Sequence, residues 1–182
     1  LKNQELKEKN EEFIRKIKER DPFYFDGLKK GQTPEYLVLS CSDSRVSPSI
    51  ITEMPLGHMF VHRNIANQAS VEDESFSASL YYALKYLKVK KIIIKGHTDC
   101  GGIKAAWSDE TDVELQNWIS KIRKNLPNKE KNDLTLNELT KINVLKQVEN
   151  LKEHPVYKAY GNDIEVRGCL FHVETGELEK LT

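Results

Sequence analysis

Tyr36-Leu37-Val38-Leu39-Ser40-Cys41-Ser42-Asp43-Ser44-Arg45 is the stretch whose reading decides the fold. Its first half is a short apolar run of the kind a buried strand shows. Its second half sets a thiol, a carboxylate and a guanidinium at alternate positions, just where that strand would end. A parallel strand feeding a loop delivers such groups to the carboxyl edge of an open α/β sheet, where these folds carry their sites. The pattern recurs downstream: Lys91-Ile92-Ile93-Ile94-Lys95 reads as a second apolar strand, and Gly96-His97-Thr98-Asp99-Cys100-Gly101-Gly102 follows it. Cys41, His97 and Cys100 together make a sulfur-and-nitrogen set of the kind zinc prefers. Three protein ligands leave a tetrahedral ion one open position, which marks a catalytic site rather than a structural one.

Working outward, His58–His62 reads as a further strand delivering Arg63 and Asn64, and Pro48 and Pro55 keep the segment before it short or irregular. Phe76, Leu80, Ala83, Leu84 and Leu87 recur at helical spacing between Glu74 and Lys88. Strand, helix and strand with ligands at the strand ends is a right-handed crossover unit. Thr111 with Glu114 suggests a capping box, and Leu115, Trp118, Ile119 and Ile122 give the helix after it a face. Residues 127–133 read as a polar loop. A long helix carrying Val144, Leu145, Val148 and Leu151 stops before His154-Pro155. Ile164–Val173 alternates partly like a strand, and Glu174–Glu177 turns it back as a hairpin. At the other end, residues 2–20 predict a Lys- and Glu-rich amphipathic helix with a thin stripe of Leu6, Phe13, Ile14 and Ile17. Asp21-Pro22 predicts the N-cap and first position of a short second helix ending near Gly27.

The chain of 182 residues is the size of one domain, and no repeat or linker divides it. The balance of 28 basic against 28 acidic residues argues against a nucleic-acid binder, which would show a basic excess. No apolar run approaches the roughly 18 to 20 residues that a membrane span needs, so no membrane partner is expected. Three cysteines at distant positions do not form a disulfide framework and point to a reduced, cytoplasmic compartment. The first residue is Leu rather than Met, so that expectation stands beside a longer chain from which a targeting segment has been removed. Cys169 sits mid-strand among apolar neighbours and reads as core.

Zinc lowers the pKa of bound water towards ~7 and so supplies hydroxide at neutral pH. A carboxylate nearby can accept a hydrogen bond from that hydroxide and aim it, provided the carboxylate is itself anchored. Arg45 offers Asp43 a two-pronged, permanently charged anchor.

At these residues the chain resembles the β-class carbonic anhydrases, whose pattern is a Cys-x-Asp-x-Arg loop, a His-x-x-Cys loop and an Asp–Arg dyad. Cys41–Val46, Phe60–Asn64, Ala66-Asn67, Gly96–Gly102, Asn143-Val144 and the Glu174–Gly176 turn all fit. The resemblance implies an α/β fold of four parallel strands and a fifth, antiparallel edge strand, flanked by helices. It implies one such domain over 1–182, with a helical arm over 1–30 and a zinc-binding core over 31–182. It further implies a homo-oligomer, dimer or tetramer, with the arm laid over the partner. The reaction implied is zinc-dependent reversible hydration of carbon dioxide to bicarbonate and a proton by zinc-bound hydroxide. Cys41, His97 and Cys100 would hold the metal, with Asp43 and Arg45 catalytic. Gln32, Phe60, Ile65, Tyr82 and Gly101 would meet substrate, with some of Gln32, Phe60 and Tyr82 coming from the neighbouring chain.

Carbon disulfide or carbonyl sulfide hydrolysis on the same scaffold is the nearest rival, and a non-catalytic zinc-binding assembly protein is the rival of another class. Some relatives also close the site by moving the aspartate onto zinc when bicarbonate occupies a tryptophan–arginine–tyrosine pocket. Those positions fall here on Val38, Arg63 and Phe171, of which only Arg63 brings a side-chain donor. The expectation is therefore an open site with Asp43 kept on Arg45.

Overall fold

A computed structural model describes residues 3–108, 112–128 and 133–182. The chain divides into two compact units, Leu1–Thr33 and Pro34–Thr182. In the first unit, α1 (Asn3–Arg20) is laced by exposed pairs such as Lys16–Glu12 at 2.8 Å and Arg15–Glu19 at 2.6 Å. Each such pair is worth a few tenths of a kcal/mol. Leu6 and Phe13 remain exposed along it. The short second helix, α2, spans Tyr24–Leu28 and so starts later than Asp21-Pro22 predicted. Asp21 is spent on a turn instead: its Oδ1 accepts the Phe23 N–H at 2.9 Å.

The second unit is built on β1 (Tyr36–Cys41), β2 (Met59–Asn64), β3 (Lys91–His97), β4 (Glu165–Phe171) and β5 (Leu178–Lys180). They lie in the order β2-β1-β3-β4-β5, the first four parallel and β5 antiparallel to β4, as the resemblance implied. The two strands that end in Cys41 and His97, β1 and β3, are neighbours in the sheet. The hairpin into β5 closes at Gly176, whose φ of 78° is the left-handed conformation that glycine tolerates.

The connections follow from local chemistry. α3 (Pro48–Ile51) begins with proline at its first position and lasts one turn. α4 (Glu74–Tyr82) starts where Asp73 Oδ1 accepts the Phe76 N–H at 3.1 Å. It runs into a π-helical turn, Ala83–Leu87, which Lys88 ends at φ 54°. The remaining helices are α5 (Gly101–Trp107), α6 (Gln116–Arg123), α7 (Leu136–Glu153) and α8 (Pro155–Tyr160). The box proposed for Thr111 and Glu114 includes a position outside the described residues. A complete one forms at α7, where Thr135 and Glu138 cap each other's main chain. α7 stops where expected, because His154 turns its Nδ1 back onto the Val156 N–H and Pro155 opens α8.

Leu37, Leu39, Ile92 and Ile94 pack with Phe76, Leu80, Val144, Val148 and Leu151 in the main core. Each side chain buried there contributes roughly 1.5–3 kcal/mol. The sheet and α7 touch so closely that a Cβ on Gly96 would stand 2.4 Å from Val144 Cγ2. A second cluster gathers Cys41, Val46, Cys100, Ile103, Ile119, Ile122, Leu139 and Phe171 at the carboxyl end of the strands.

Candidate metal centre

Cys41 is the last residue of β1, and His97 is the last of β3. Asp99 then takes the left-handed conformation, φ 53°, and turns the chain so that Cys100 comes back as the residue capping α5. The ligand-type atoms of Cys41, His97 and Cys100 all lie within 4.8 Å of one another, and all three residues are buried. His97 Nδ1 pairs with the Thr98 carbonyl oxygen at 2.9 Å, which assigns its proton to Nδ1. His97 Nε2 is buried without a hydrogen-bond partner. A buried, unpartnered lone pair facing two thiols is what a cation would satisfy. The sulfurs agree with this. The neighbouring Cys100 thiol holds Cys41 well below the usual thiol range, while the same neighbour and burial push Cys100 up. Both can be anionic together only with a cation between them, so the set fits a divalent, thiolate-loving ion.

Asp43 lies at the edge of this cluster, its Oδ2 3.8 Å from His97 Nε2. Arg45 grips it with Nε on Oδ1 at 3.0 Å and Nη2 on Oδ2 at 2.8 Å, and the Arg45 N–H adds a bond to Oδ1 at 2.9 Å. This grip holds the Asp43 carboxyl well below the usual carboxylate range. Arg45 is anchored in turn by Asp99, through its Oδ2 at 3.2 Å and its carbonyl oxygen at 3.3 Å. That third partner was not foreseen from sequence, since nothing in Thr98-Asp99 says that the turn aims back at residue 45. Oδ1 takes two donors and Oδ2 one, so Oδ2 keeps acceptor capacity on the side of the cluster.

The main chain around the ligand-type residues is held in unusual shapes. Ala66 and Asn67 both have positive φ, 61° and 49°. The Ala66 N–H thereby reaches Cys41 Sγ at 3.4 Å. Its carbonyl oxygen accepts from Gln68 Nε2 at 2.7 Å and Asn143 Nδ2 at 3.1 Å. Two such non-glycine residues in a row are costly and need outside support. Gly102 has no room for a side chain: a Cβ there would stand 2.6 Å from Ile65 Cγ2.

The expected substrate residues are dispersed within one chain. Ile65 adjoins Gly102, and Gly101 is exposed beside Cys100. Phe60 and Tyr82 lie together, ring centroids 5.8 Å apart. Phe60 pairs with Leu37, however, whereas Asn64 pairs with Cys41. Four residues of strand put Phe60 about 13 Å back from the ligand end. Gln32 belongs to the first unit and is exposed. Cys169 is buried core, its thiol pushed up by burial. Val38 and Phe171 are buried too, and Arg63 spends Nε on the Cys41 carbonyl (2.9 Å) and Nη2 on the Asp43 carbonyl (2.6 Å). A cavity of about 290 Å³ lined by Gln68, Glu72, Lys121, Asn125 and Asn150 is bordered by none of the three ligand-type residues.

Comparison with known proteins fits this geometry. The family model described as "Carbonic anhydrase" matches residues 36–178. The chain is 37% identical to a carbonic anhydrase of Emericella nidulans over 96% of its own length and 81% of that protein. It resembles the tetrameric β-carbonic anhydrases of Sordaria macrospora with a TM-score of 0.88 and 30% identity, over 98% of this chain and 95% of theirs. A Coccomyxa β-carbonic anhydrase solved with acetazolamide gives 0.88 and 32%, over 97% and 84%. Fold, ligand cluster and similarity converge, and the chain belongs to the β-class carbonic anhydrase family.

Proposed function

We propose that this chain catalyses the reversible hydration of carbon dioxide to bicarbonate and a proton, with one zinc ion held by Cys41, His97 and Cys100. The observation that carries it is the buried, unpartnered His97 Nε2 facing two thiols, with the clamped Asp43 carboxylate 3.8 Å away. Such an ion, when bound, supplies a Lewis acid that makes water nucleophilic at neutral pH. The residues of the chain supply direction. Asp43 Oδ2 accepts a hydrogen bond from the attacking water and aims it. Arg45, fixed by Asp43 and Asp99, keeps the carboxylate from swinging to the metal. The proton on His97 Nδ1 is kept by Thr98, so Nε2 stays available.

Ile65 forms an apolar wall suited to carbon dioxide, which has no net dipole, and the Gly101 N–H offers a donor to a substrate oxygen. Gln32, Phe60 and Tyr82 are assigned to the same pocket, some of them contributed by a neighbouring chain, in a homodimer or homotetramer. The distance of Phe60 from its own ligand end supports a neighbouring chain as the source. The tetrameric relatives of Sordaria macrospora support the assembly. The three thiols, unpaired with one another, support a cytoplasmic setting. No observation favours carbon disulfide or carbonyl sulfide as substrate, and a purely structural zinc site has no use for the Asp43–Arg45–Asp99 clamp. The test is stopped-flow carbon dioxide hydration with zinc measured on the same sample. Rapid hydration with one zinc per chain is expected, and a zinc-loaded protein without hydration activity would overturn the reading.

A further inference from the structure

Lys95 is a charged residue near the metal centre that the proposed mechanism does not use. It stands on β3, two residues before His97, after Ile92, Ile93 and Ile94, and only 2% of it is exposed. In the sheet register it lies beside Ser40 of β1, which lies beside Arg63 of β2. The three residues therefore share one row and one face. Among the described residues, the one hydrogen bond of Lys95 Nζ goes to the Val46 carbonyl oxygen at 2.6 Å, and the ammonium lies 5.6 Å from the centre of the Phe171 ring. A buried ammonium with one neutral acceptor is a poor stabiliser, because desolvation costs several kcal/mol and a single carbonyl returns less.

What the contact achieves is placement. Val46 ends the loop that begins at Cys41, and its N–H closes a turn onto the Asp43 carbonyl at 3.2 Å. Arg63 holds the carbonyls of Cys41 and Asp43, and Lys95 holds that of Val46. The carbonyls of Cys41, Asp43 and Val46 are thus drawn onto two cations, so that Asp43 is one fixed point and Arg45 lies between it and Val46. We propose that Lys95 is a positioning residue, which acts with Arg63 to fix the main chain of residues 41–46 and so the direction of the Asp43–Arg45 pair. The kinetic half rests on the carbonic anhydrase reading; the structural half does not.

An apolar residue of similar length should fill the same space without the desolvation cost, so stability and turnover should part company. The experiment compares the zinc-loaded wild type with Lys95→Met and Lys95→Arg by melting temperature, zinc content, amide hydrogen exchange across residues 42–46, and kcat and KM. Lys95→Met is expected to melt no lower than wild type and to keep one zinc per chain. It should exchange the Val46 amide faster and lose roughly tenfold or more in kcat at unchanged KM. Lys95→Arg, still able to donate to Val46, should recover protection and part of kcat. A Lys95→Met protein with wild-type exchange and kcat would overturn the proposal. So would one that unfolds or melts well below wild type, since Lys95 would then be framework. If the wild type itself hydrates no carbon dioxide, the functional reading fails, while the exchange comparison still decides the claim about the loop.

Discussion

Along β3, Ile92 and Ile94 face one side of the sheet while Ile93 and Lys95 face the other, and the two sides are built differently. On the first, Leu37, Leu39, Ile92, Ile94 and Val166 meet Phe76, Leu80, Val144, Val148 and Leu151, and volume matching does the stabilising. On the second, Val61 is exposed and Ile93 and Arg167 are half-buried. Ser40 Oγ is buried there without a partner, and burial with the nearby Arg63 charge pushes Lys95 down to about 8. Groups of this kind lower stability, and their neighbours on the chain are Cys41 and His97, two of the residues that could hold a metal. The first side is a continuous apolar core; the second, beside the buried Val38, Cys169 and Phe171, carries Arg63, Ser40 and Lys95 in one row.

The sharpest way to break this division is Cys100→Ala. It should abolish zinc binding and reduce hydration to background while the far-ultraviolet circular dichroism of the sheet and helices persists. Zinc analysis and spectra on one preparation check it, and full zinc occupancy would remove Cys100 from the ligand set. Asp43→Ala comes next. It should keep zinc and lose about 10²–10⁴-fold in turnover, because only the aiming carboxylate is gone. Near-normal rates would reduce the Asp43–Arg45 pair to an ion pair.

On the apolar side, Ile94→Ala should cost about 2–5 kcal/mol in urea unfolding and leave one zinc per chain. Loss of zinc at unchanged stability would show that the two sides are not separate. The smallest effect is a pH slope. His154 and His62 both meet Phe76 in edge-to-face contacts, and burial lowers the pKa of each in the folded protein. The unfolded chain takes up the proton first, so their contribution is intact above about pH 6.5 and declines as pH falls below it. Comparing urea midpoints at pH 7.5 and 5.5, His154→Gln should lose less than wild type.

Much of this was legible in the sequence because apolar runs and ligand spacing are local signals. β1 and β3 announced themselves by Leu37–Leu39 and Ile92–Ile94, and Cys41 and His97 lie at their ends as expected. α5 was missed because Gly101 and Gly102, both poor helix formers, open it. α8 was missed because Pro155 reads as a stop for α7 before it reads as a start. The π-helical turn after Tyr82 keeps ordinary helical spacing in sequence and leaves no separate mark. Asp99 on Arg45 and the positive φ of Ala66 depend on contacts between segments distant in the chain, which no local pattern encodes.

The account rests on an open metal site in which Asp43 stays with Arg45, and a crystal structure of the zinc-loaded protein near pH 7.5 tests that most directly. Zinc should lie on Cys41, His97 and Cys100 with the Asp43 carboxylate still paired to Arg45, as its present bonds of 2.8 and 3.0 Å indicate. Asp43 bound to zinc, or bicarbonate lodged beside Arg63, would contradict it.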